Sequence, residues 1–216
     1  MTEAQIRICV VGDELIAGAG DPRGLGWLGR VSAQTEPQAQ GRRPIFYTLA
    51  VPGETTAALS GRWDSETSRR FNAITASNDS TQPSPVYDNR LVIGLGRADA
   101  EAGISLARSR LNVANILDAA QSRRISAFVI GPPPSAPELN DTIAELSEGY
   151  AEVASRRGVP FVDTFNALRD HEQYQSDLVG PERLLPGQAG HALIAWLVLH
   201  AGWHNWLGLP EVAQSS

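Results

Sequence analysis

The residues of this chain with the clearest chemical potential come directly after short apolar runs. Gly12-Asp13-Glu14 follows the first such run, and Gly96-Arg97-Ala98-Asp99 follows the third. Carboxylates in such turns can act as general acids or bases, or they can pair with the arginine through a bidentate ion pair. We favour an ion pair between Glu14 and Arg97 over acid/base catalysis, because each charge would offset the burial of the other.

The elements that must position these residues follow an alternating pattern. Short apolar runs alternate with segments of helical period, which is typical of βαβ units around a parallel sheet. The predicted strands are Ile6 to Val11, Ile45 to Leu49, Arg90 to Leu95, Ile125 to Ile130 and Val159 to Val162. The predicted helices are Gly26 to Gln34, Thr55 to Arg62, Ile104 to Ala120, Glu138 to Arg157 and Gln188 to Trp206. The polar stretch Asn72 to Asn89 is expected to be a surface connection. Ligands of open parallel sheets bind at the carboxyl ends of the strands, which is where the turns above lie.

Length and composition predict one soluble domain over residues 1–216. The 216 residues are 42% apolar, enough for one core, which we expect over residues 6–207 with a disordered tail at 211–216. A net charge of -6 argues against nucleic acid as a partner. No apolar run has the length of about 18 residues that a membrane span needs, and no secretory signal pattern precedes the first strand. We therefore expect a cytoplasmic protein without a membrane partner.

Residue types that hold metals or cofactors form no recognisable pattern. Cys9 is the single cysteine and lies within the first predicted strand. No pair among the 4 histidines has a metal-ligand spacing. We therefore expect no metal and no cofactor.

Four ordered sequence blocks carry a resemblance to a known family. The blocks are Gly12-Asp13-Glu14-Leu15, Leu49 to Thr56, Ile93 to Ala100 and Glu182 to Ala192. Together they resemble the SGNH (GDSL-type) hydrolases, a family of esterases, lipases and acyl hydrolases. The resemblance implies an α/β fold, a flavodoxin-like three-layer α/β/α sandwich with a parallel sheet of about five strands.

The departures from the family pattern fall on the catalytic positions. The family uses a serine nucleophile, a histidine base, an aspartate that orients the histidine, and an oxyanion hole that includes a glycine and an asparagine. The resemblance assigns these positions, in the same order, to Glu14, Leu185, Glu182, Gly53 and Ala98. Only the glycine is retained, so the resemblance implies a site that has lost serine chemistry. It also implies a structural role for His191, and backbone hydrogen bonds for Asp13 and Asp99.

Three functions remain open from the sequence. The one we favour is a pseudohydrolase that binds a small ligand or a protein partner in the former active site, beneath the loop Gly131-Pro132-Pro133-Pro134. The expected ligand-binding residues are Asp13, Gly53, Arg97, Ala98 and Leu185. The alternative is an active esterase or acylhydrolase, or a carboxylate-based hydrolase whose catalytic residues are Glu14 and Glu182. A third is a structural subunit of a homo-oligomer, suggested by the tryptophans of Ala201 to Leu209.

Overall fold

The computed structural model describes residues 5–35, 44–72, 87–179 and 185–209. Five parallel strands form one sheet in the order β2-β1-β3-β4-β5. The strands are β1 Gln5–Gly12, β2 Ile45–Ala50, β3 Tyr87–Gly94, β4 Ser126–Ile130 and β5 Phe161–Val162. This strand order is the flavodoxin-like one, with a switch point between β1 and β3.

Helices connect these strands in the alternating way that the sequence predicts. They are α1 Gly26–Thr35, α2 Thr56–Phe71, α3 Arg97–Glu101, α4 Leu106–Ser122, α5 Asn140–Ser155, α6 Thr164–Leu168, α7 Glu172–Asp177, α8 Gln188–Val198 and α9 His204–Leu207. A 3-10 turn, Pro137–Leu139, precedes α5. A two-stranded antiparallel ribbon, β6 Leu178–Val179 and β7 Leu185–Pro186, lies between α7 and α8.

Two apolar cores cover the two faces of the sheet. Alternate residues of β1 point to opposite faces, so Ile8 enters one core and Cys9 the other. The first core packs α1, α8 and α9 against the sheet, and the second packs α2, α4 and α5. The result is the three-layer α/β/α arrangement that the resemblance implies.

Aromatic rings close the first core near the last helix. Trp203 packs edge-on against Phe128 with ring centroids 5.4 Å apart, and Trp206 lies 5.1 Å from the same ring. Trp203 also stacks on Phe46 of β2 at 6.4 Å. These tryptophans are therefore core residues that join the end of the helical layer to β2 and β4. Trp196 is different, because it is 56% exposed on α8.

The predicted element bounds need correction at several points. β3 begins at Tyr87, inside the stretch expected to be a connection, because Tyr87 to Asn89 pair with Gln5 to Arg7 of β1. The rest of that stretch, residues 73–86, lies outside the described residues, as does the predicted tail at 211–216. Helix α2 continues to Phe71, because Trp63, Thr67 and Phe71 extend its buried face by further turns.

The last predicted helix is broken where one continuous helix was expected. It ends at Val198, and a π-helical stretch, Leu199–Trp203, separates it from α9. Within that stretch Gly202 has φ 84°, a left-handed conformation that favours glycine. Among the described helices, none combines the length and apolar character of a membrane span.

Candidate functional site

Three turns at the carboxyl edge of the sheet bring the candidate residues together. The turn after β1 carries Glu14, the turn after β2 carries Gly53, and the turn after β3 opens α3 at Arg97. Gly12 permits their close packing, since a Cβ atom there would lie 1.9 Å from the carbonyl oxygen of Gly94. This edge between β1 and β3 is the switch point at which ligands bind in open sheets.

Glu14 lies among these turns with both carboxylate oxygens engaged. Its Oε2 accepts a hydrogen bond of 2.7 Å from the backbone N–H of Gly53. Its Oε1 forms an ion pair with Nη2 of Arg97. The Glu14 side chain is only 9% exposed. The expected ion pair is therefore present, and one carboxylate links the turns that follow β1, β2 and β3.

Arg97 is held between two carboxylates. Its Nη2 pairs with Glu14, and its Nη1 pairs with Glu101 one turn further along α3. The Arg97 side chain is 4% exposed. Its Nε is buried, and no described residue accepts a hydrogen bond from it. The guanidinium thus keeps a donor that no residue in the described part of the chain uses.

Asp13 is a second buried carboxyl group next to Glu14. Its Oδ1 accepts a hydrogen bond of 3.1 Å from the N–H of Leu15, as expected for a residue in such a bend. Burial in the first place, and the Glu14 charge in the second, raise the pKa of Asp13 from its ordinary 3.8 to about 7. The Leu15 N–H and the Arg97 charge oppose this shift. Asp13 therefore changes its protonation near neutral pH.

Asp99 is held by a network of neutral donors and not by a cation. It accepts hydrogen bonds from Thr56 N (2.7 Å), from the Thr56 hydroxyl (2.6 Å) and from the Ser109 hydroxyl. The Tyr150 hydroxyl lies 3.4 Å away. One of these bonds is to a backbone donor, as expected, but the side-chain donors come from α2, α4 and α5. Asp99 thus ties α3 to three other helices.

The three remaining positions assigned by the resemblance have different outcomes. Ala98 is buried in α3 and offers no side-chain donor. Leu185 lies in β7 and lines a cavity. Glu182 falls within residues 180–184, outside the described part of the chain, so its proposed pairing with Glu14 stays a prediction.

His191 is engaged in backbone hydrogen bonds within the first core. Its Nδ1 accepts from the N–H of Trp27 at 3.1 Å, and its Nε2 lies 3.0 Å from the carbonyl oxygen of Ala19. These partners require a neutral imidazole with the proton on Nε2. Burial lowers the pKa of His191. The residue therefore joins α8 to the start of α1, which is the structural role expected from the resemblance.

The residues that hold the Gly53 turn were not predicted from the sequence. Glu54 is buried and pairs with Arg62 through both oxygens, at 2.5 Å each. Arg62 also donates to the carbonyl oxygen of Leu49 at the end of β2, at 2.7 Å. This ion pair fixes the Gly53 N–H that donates to Glu14. The sequence signal for it is an acidic residue just before α2 with an arginine on the second turn of that helix.

A small cavity lies beside Asp13 and Arg97, beneath the triproline loop. Its volume is about 30 Å³. Most of its lining is apolar, and includes Ile16, Trp27, Pro133, Leu185 and Ile194. Of the expected ligand-binding residues, Asp13, Arg97 and Leu185 border it, whereas Gly53 and Ala98 do not.

The contacts of Glu14 bear on the positions that the resemblance assigns to catalysis. The resemblance places the hydroxyl nucleophile at Glu14, a carboxylate, and the imidazole base at Leu185. The glycine N–H that would stabilise an oxyanion already donates to Glu14. Within the described ranges, no group of three or more His, Cys, Asp or Glu residues is placed to hold a metal ion.

Known structures share this fold at low sequence identity. A lipase/acylhydrolase from Enterococcus faecalis superposes with a TM-score of 0.71 at 20% identity, covering 96% of this chain and 98% of that one. Axe2, an acetylxylan esterase from Geobacillus stearothermophilus, gives 0.72 at 15% identity, covering 99% of each chain. The esterase EstA from Pseudoalteromonas sp. gives 0.66 at 18% identity, covering 94% of this chain and 98% of the other. A search of curated proteins found no match.

The sequence itself matches a family model over most of its length. Residues 10–193 match the GDSL-like lipase/acylhydrolase family, a span that includes the turns after β1, β2 and β3. Together with the strand order and the shared fold, this match establishes that the chain belongs to the GDSL-like lipase/acylhydrolase family.

Proposed function

We propose that this family member is a pseudohydrolase, which does not hydrolyse esters by serine chemistry and binds a small ligand at its former active site. The observation that carries the proposal is the 2.7 Å hydrogen bond from the Gly53 N–H to Glu14 Oε2. A carboxylate there takes up the donor that a developing oxyanion would need. Charge repulsion from Glu14 further disfavours a negatively charged intermediate next to it.

The neighbouring positions support the same proposal. Leu185 cannot accept a proton at any pH, so a hydroxyl nucleophile would have no base at this position. Ala98 has no side-chain donor, which removes a second contribution to an oxyanion hole. Loss of one such donor costs about 2.7–4 kcal/mol of transition-state stabilisation in a comparable site.

The binding part of the proposal rests on the cavity beside Asp13 and Arg97. Its apolar lining with few polar groups is typical of small-molecule sites. The triproline loop above it has restricted backbone freedom, so little conformational entropy would be lost on binding.

A carboxylate-based hydrolase with Glu14 as a catalytic residue is less favoured. Both Glu14 oxygens are engaged, one by the Gly53 N–H and the other by Arg97. A general acid or base must lie within hydrogen-bond reach of the proton that it transfers, and these partners already occupy both oxygens.

Ester hydrolysis tests the proposal directly. The purified protein would be assayed with 4-nitrophenyl acetate and 4-nitrophenyl hexanoate beside Glu14→Ala and Gly53→Ala. We expect the wild-type rate to equal the rates of both variants. The matched control is Glu145→Ala, which removes an exposed glutamate of α5. Turnover that disappears in Glu14→Ala and persists in Glu145→Ala would contradict the proposal and would support carboxylate catalysis.

A further inference from the structure

A second pocket lies at the amino edge of the sheet, opposite the edge that carries the candidate site. Its volume is about 410 Å³, within the range of roughly 300–1,000 Å³ that small-molecule sites have. It is formed where α4 and α5 end and β4 and β5 begin, with Ser126 and Pro160 on the strand side. The proposed function makes no use of this pocket.

Two helix ends of the same geometry frame the pocket, and they differ at one residue. After each helix, a backbone N–H donates to a carbonyl oxygen of the last turn, from Ile125 at 2.9 Å and from Val159 at 3.0 Å. The residue before each donor is left-handed, with φ 59° at Arg124 and 63° at Gly158. Within the described ranges, Arg124 is the one residue other than glycine with a positive φ. The backbone favours glycine at both ends, so the Arg124 side chain needs another explanation.

The Arg124 side chain is exposed and lines the pocket with an uncompensated charge. Its neighbour Arg123 pairs with an aspartate of α2 at 2.7 Å. Arg157, on the opposite wall, pairs with Asp118 at 2.7 Å. By contrast, no acidic residue in the described part of the chain pairs with Arg124, and the described lining contains no aspartate or glutamate. The pocket therefore favours an anion.

The remaining groups of the wall indicate what the anion carries. Ile125, Val159, Pro160 and Trp206 give the pocket an apolar wall. Ser126 Oγ accepts a hydrogen bond of 2.9 Å from Trp206 Nε1, and its own hydrogen has no acceptor among the described residues. A guanidinium presents its donors as a planar fork that matches the two oxygens of a carboxylate. The combination fits a carboxylate attached to an apolar body.

We propose that this pocket binds a small organic carboxylate, which pairs with Arg124 and places its apolar body against Ile125, Pro160 and Trp206. The inference goes beyond the proposed function and does not depend on it, because the two sites lie at opposite edges of the sheet. It also accounts for an arginine at a position where the backbone favours glycine.

Titration of the full chain with 4-fluorobenzoate tests the inference by NMR. The readouts are the fluorine resonance of the ligand and the indole N–H resonance of Trp206, identified by its absence in Trp206→Phe. We expect both to shift saturably with one dissociation constant, while the indole resonance of Trp196, exposed on α8, stays unchanged. The uncharged 4-fluorobenzamide and the cationic 4-fluorobenzylamine should give no saturable shift at the same concentrations. Acetate, which lacks the apolar body, should not displace 4-fluorobenzoate.

Arg124→Gly separates the side chain from the fold. We expect the dissociation constant to rise at least about tenfold, because charge-assisted hydrogen bonds are lost. The melting temperature should not fall, since glycine adopts the left-handed conformation readily. The matched control is Arg108→Ala, which removes an equal charge from an exposed position at the other end of α4 and should leave binding unchanged.

Three results would overturn the inference. The first is unchanged binding in Arg124→Gly, and the second is an equal loss of binding in Arg108→Ala. The third is a saturable fluorine shift without a shift of the Trp206 indole, which would place the carboxylate at another site.

Discussion

Glu14 and Asp99 are buried carboxylates at the same edge of the sheet, yet the chain compensates their charges in different ways. Asp99 receives a backbone N–H and hydroxyl groups from several helices, all of them neutral donors. Glu14 receives one backbone N–H and the guanidinium of Arg97. The resemblance places Asp99 at a retained family position and Glu14 at the serine position. Glu14 has fewer neutral donors than Asp99, and the third turn supplies a cation close by.

The largest effect should come from removing that cation. Arg97→Met leaves the buried Glu14 charge without a counterion, and we expect a loss of about 3–5 kcal/mol in the free energy of unfolding. Urea denaturation with fluorescence detection measures it. Adding Glu14→Gln to Arg97→Met should restore much of the loss, because the unpaired charge is removed.

A surface ion pair provides the control for this experiment. Arg110 pairs with Glu152 at a site where both side chains are partly exposed, at 33% and 42%. Arg110→Met should therefore cost about 1 kcal/mol or less. Equal losses of unfolding free energy in Arg97→Met and Arg110→Met would show that the buried Glu14–Arg97 pair stabilises the fold no more than the surface pair does.

A smaller effect is expected at the neutral network. Asp99→Asn keeps one acceptor oxygen but turns the other into a donor, so buried donors of Thr56 or Ser109 lose their partner. We expect a loss of about 1–3 kcal/mol in unfolding free energy. In a Ser109→Ala variant, Asp99→Asn should lower the free energy of unfolding by less, because the Ser109 hydroxyl is no longer left without an acceptor. An undiminished loss there would mean that Ser109 is not coupled to Asp99.

The smallest effects should appear as opposite pH dependences of two buried groups. The pKa of Asp13 is raised to about 7 from 3.8, so its stabilising contribution is full below pH 3.8 and is lost as pH rises through 7. The pKa of His191 is lowered from 6.5, so its contribution is full above pH 6.5 and is lost as pH falls further. The contribution of each residue to the free energy of unfolding changes by at most about 1.4 kcal/mol per pH unit.

Two variants separate these contributions. Between pH 6.5 and 5, the stability of wild type relative to Asp13→Asn should rise as pH falls, whereas its stability relative to His191→Gln should decrease. Unfolding curves measured across this range give both differences. Parallel curves for wild type and both variants would contradict the ionisation described for the two sites.

Local sequence patterns predicted the fold better than the site. The alternation of apolar runs and helical segments was enough for the parallel sheet, because β1 and β4 are buried on both faces over most of their length. The ion pair of Glu14 with Arg97 was predictable because both residues directly follow neighbouring strands. Donors to Asp99 come from residues as distant as Thr56 and Tyr150, and nothing local in the sequence connects them.

Two further features depend on tertiary contacts that a sequence pattern does not express. Tyr87 to Asn89 join β3 although they are largely polar, because β1 supplies an adjacent strand for pairing. The break at Gly202 interrupts an otherwise continuous apolar helical pattern, because the left-handed conformation turns α9 onto the sheet. The cavity likewise depends on how the triproline loop and β7 approach each other.

The aromatic closure of the first core has a consequence for synthesis on the ribosome. The second core draws its buried residues from Cys9 to Val153 and its outer contacts from no later than Phe161. The first core also requires Trp203, Trp206 and Leu209. Because domains fold as their residues emerge, one face of the sheet has its helical cover long before the other. During that interval the face formed by Ile6, Ile8 and Val10 has α1 beside it but lacks the cover that α8 and α9 supply.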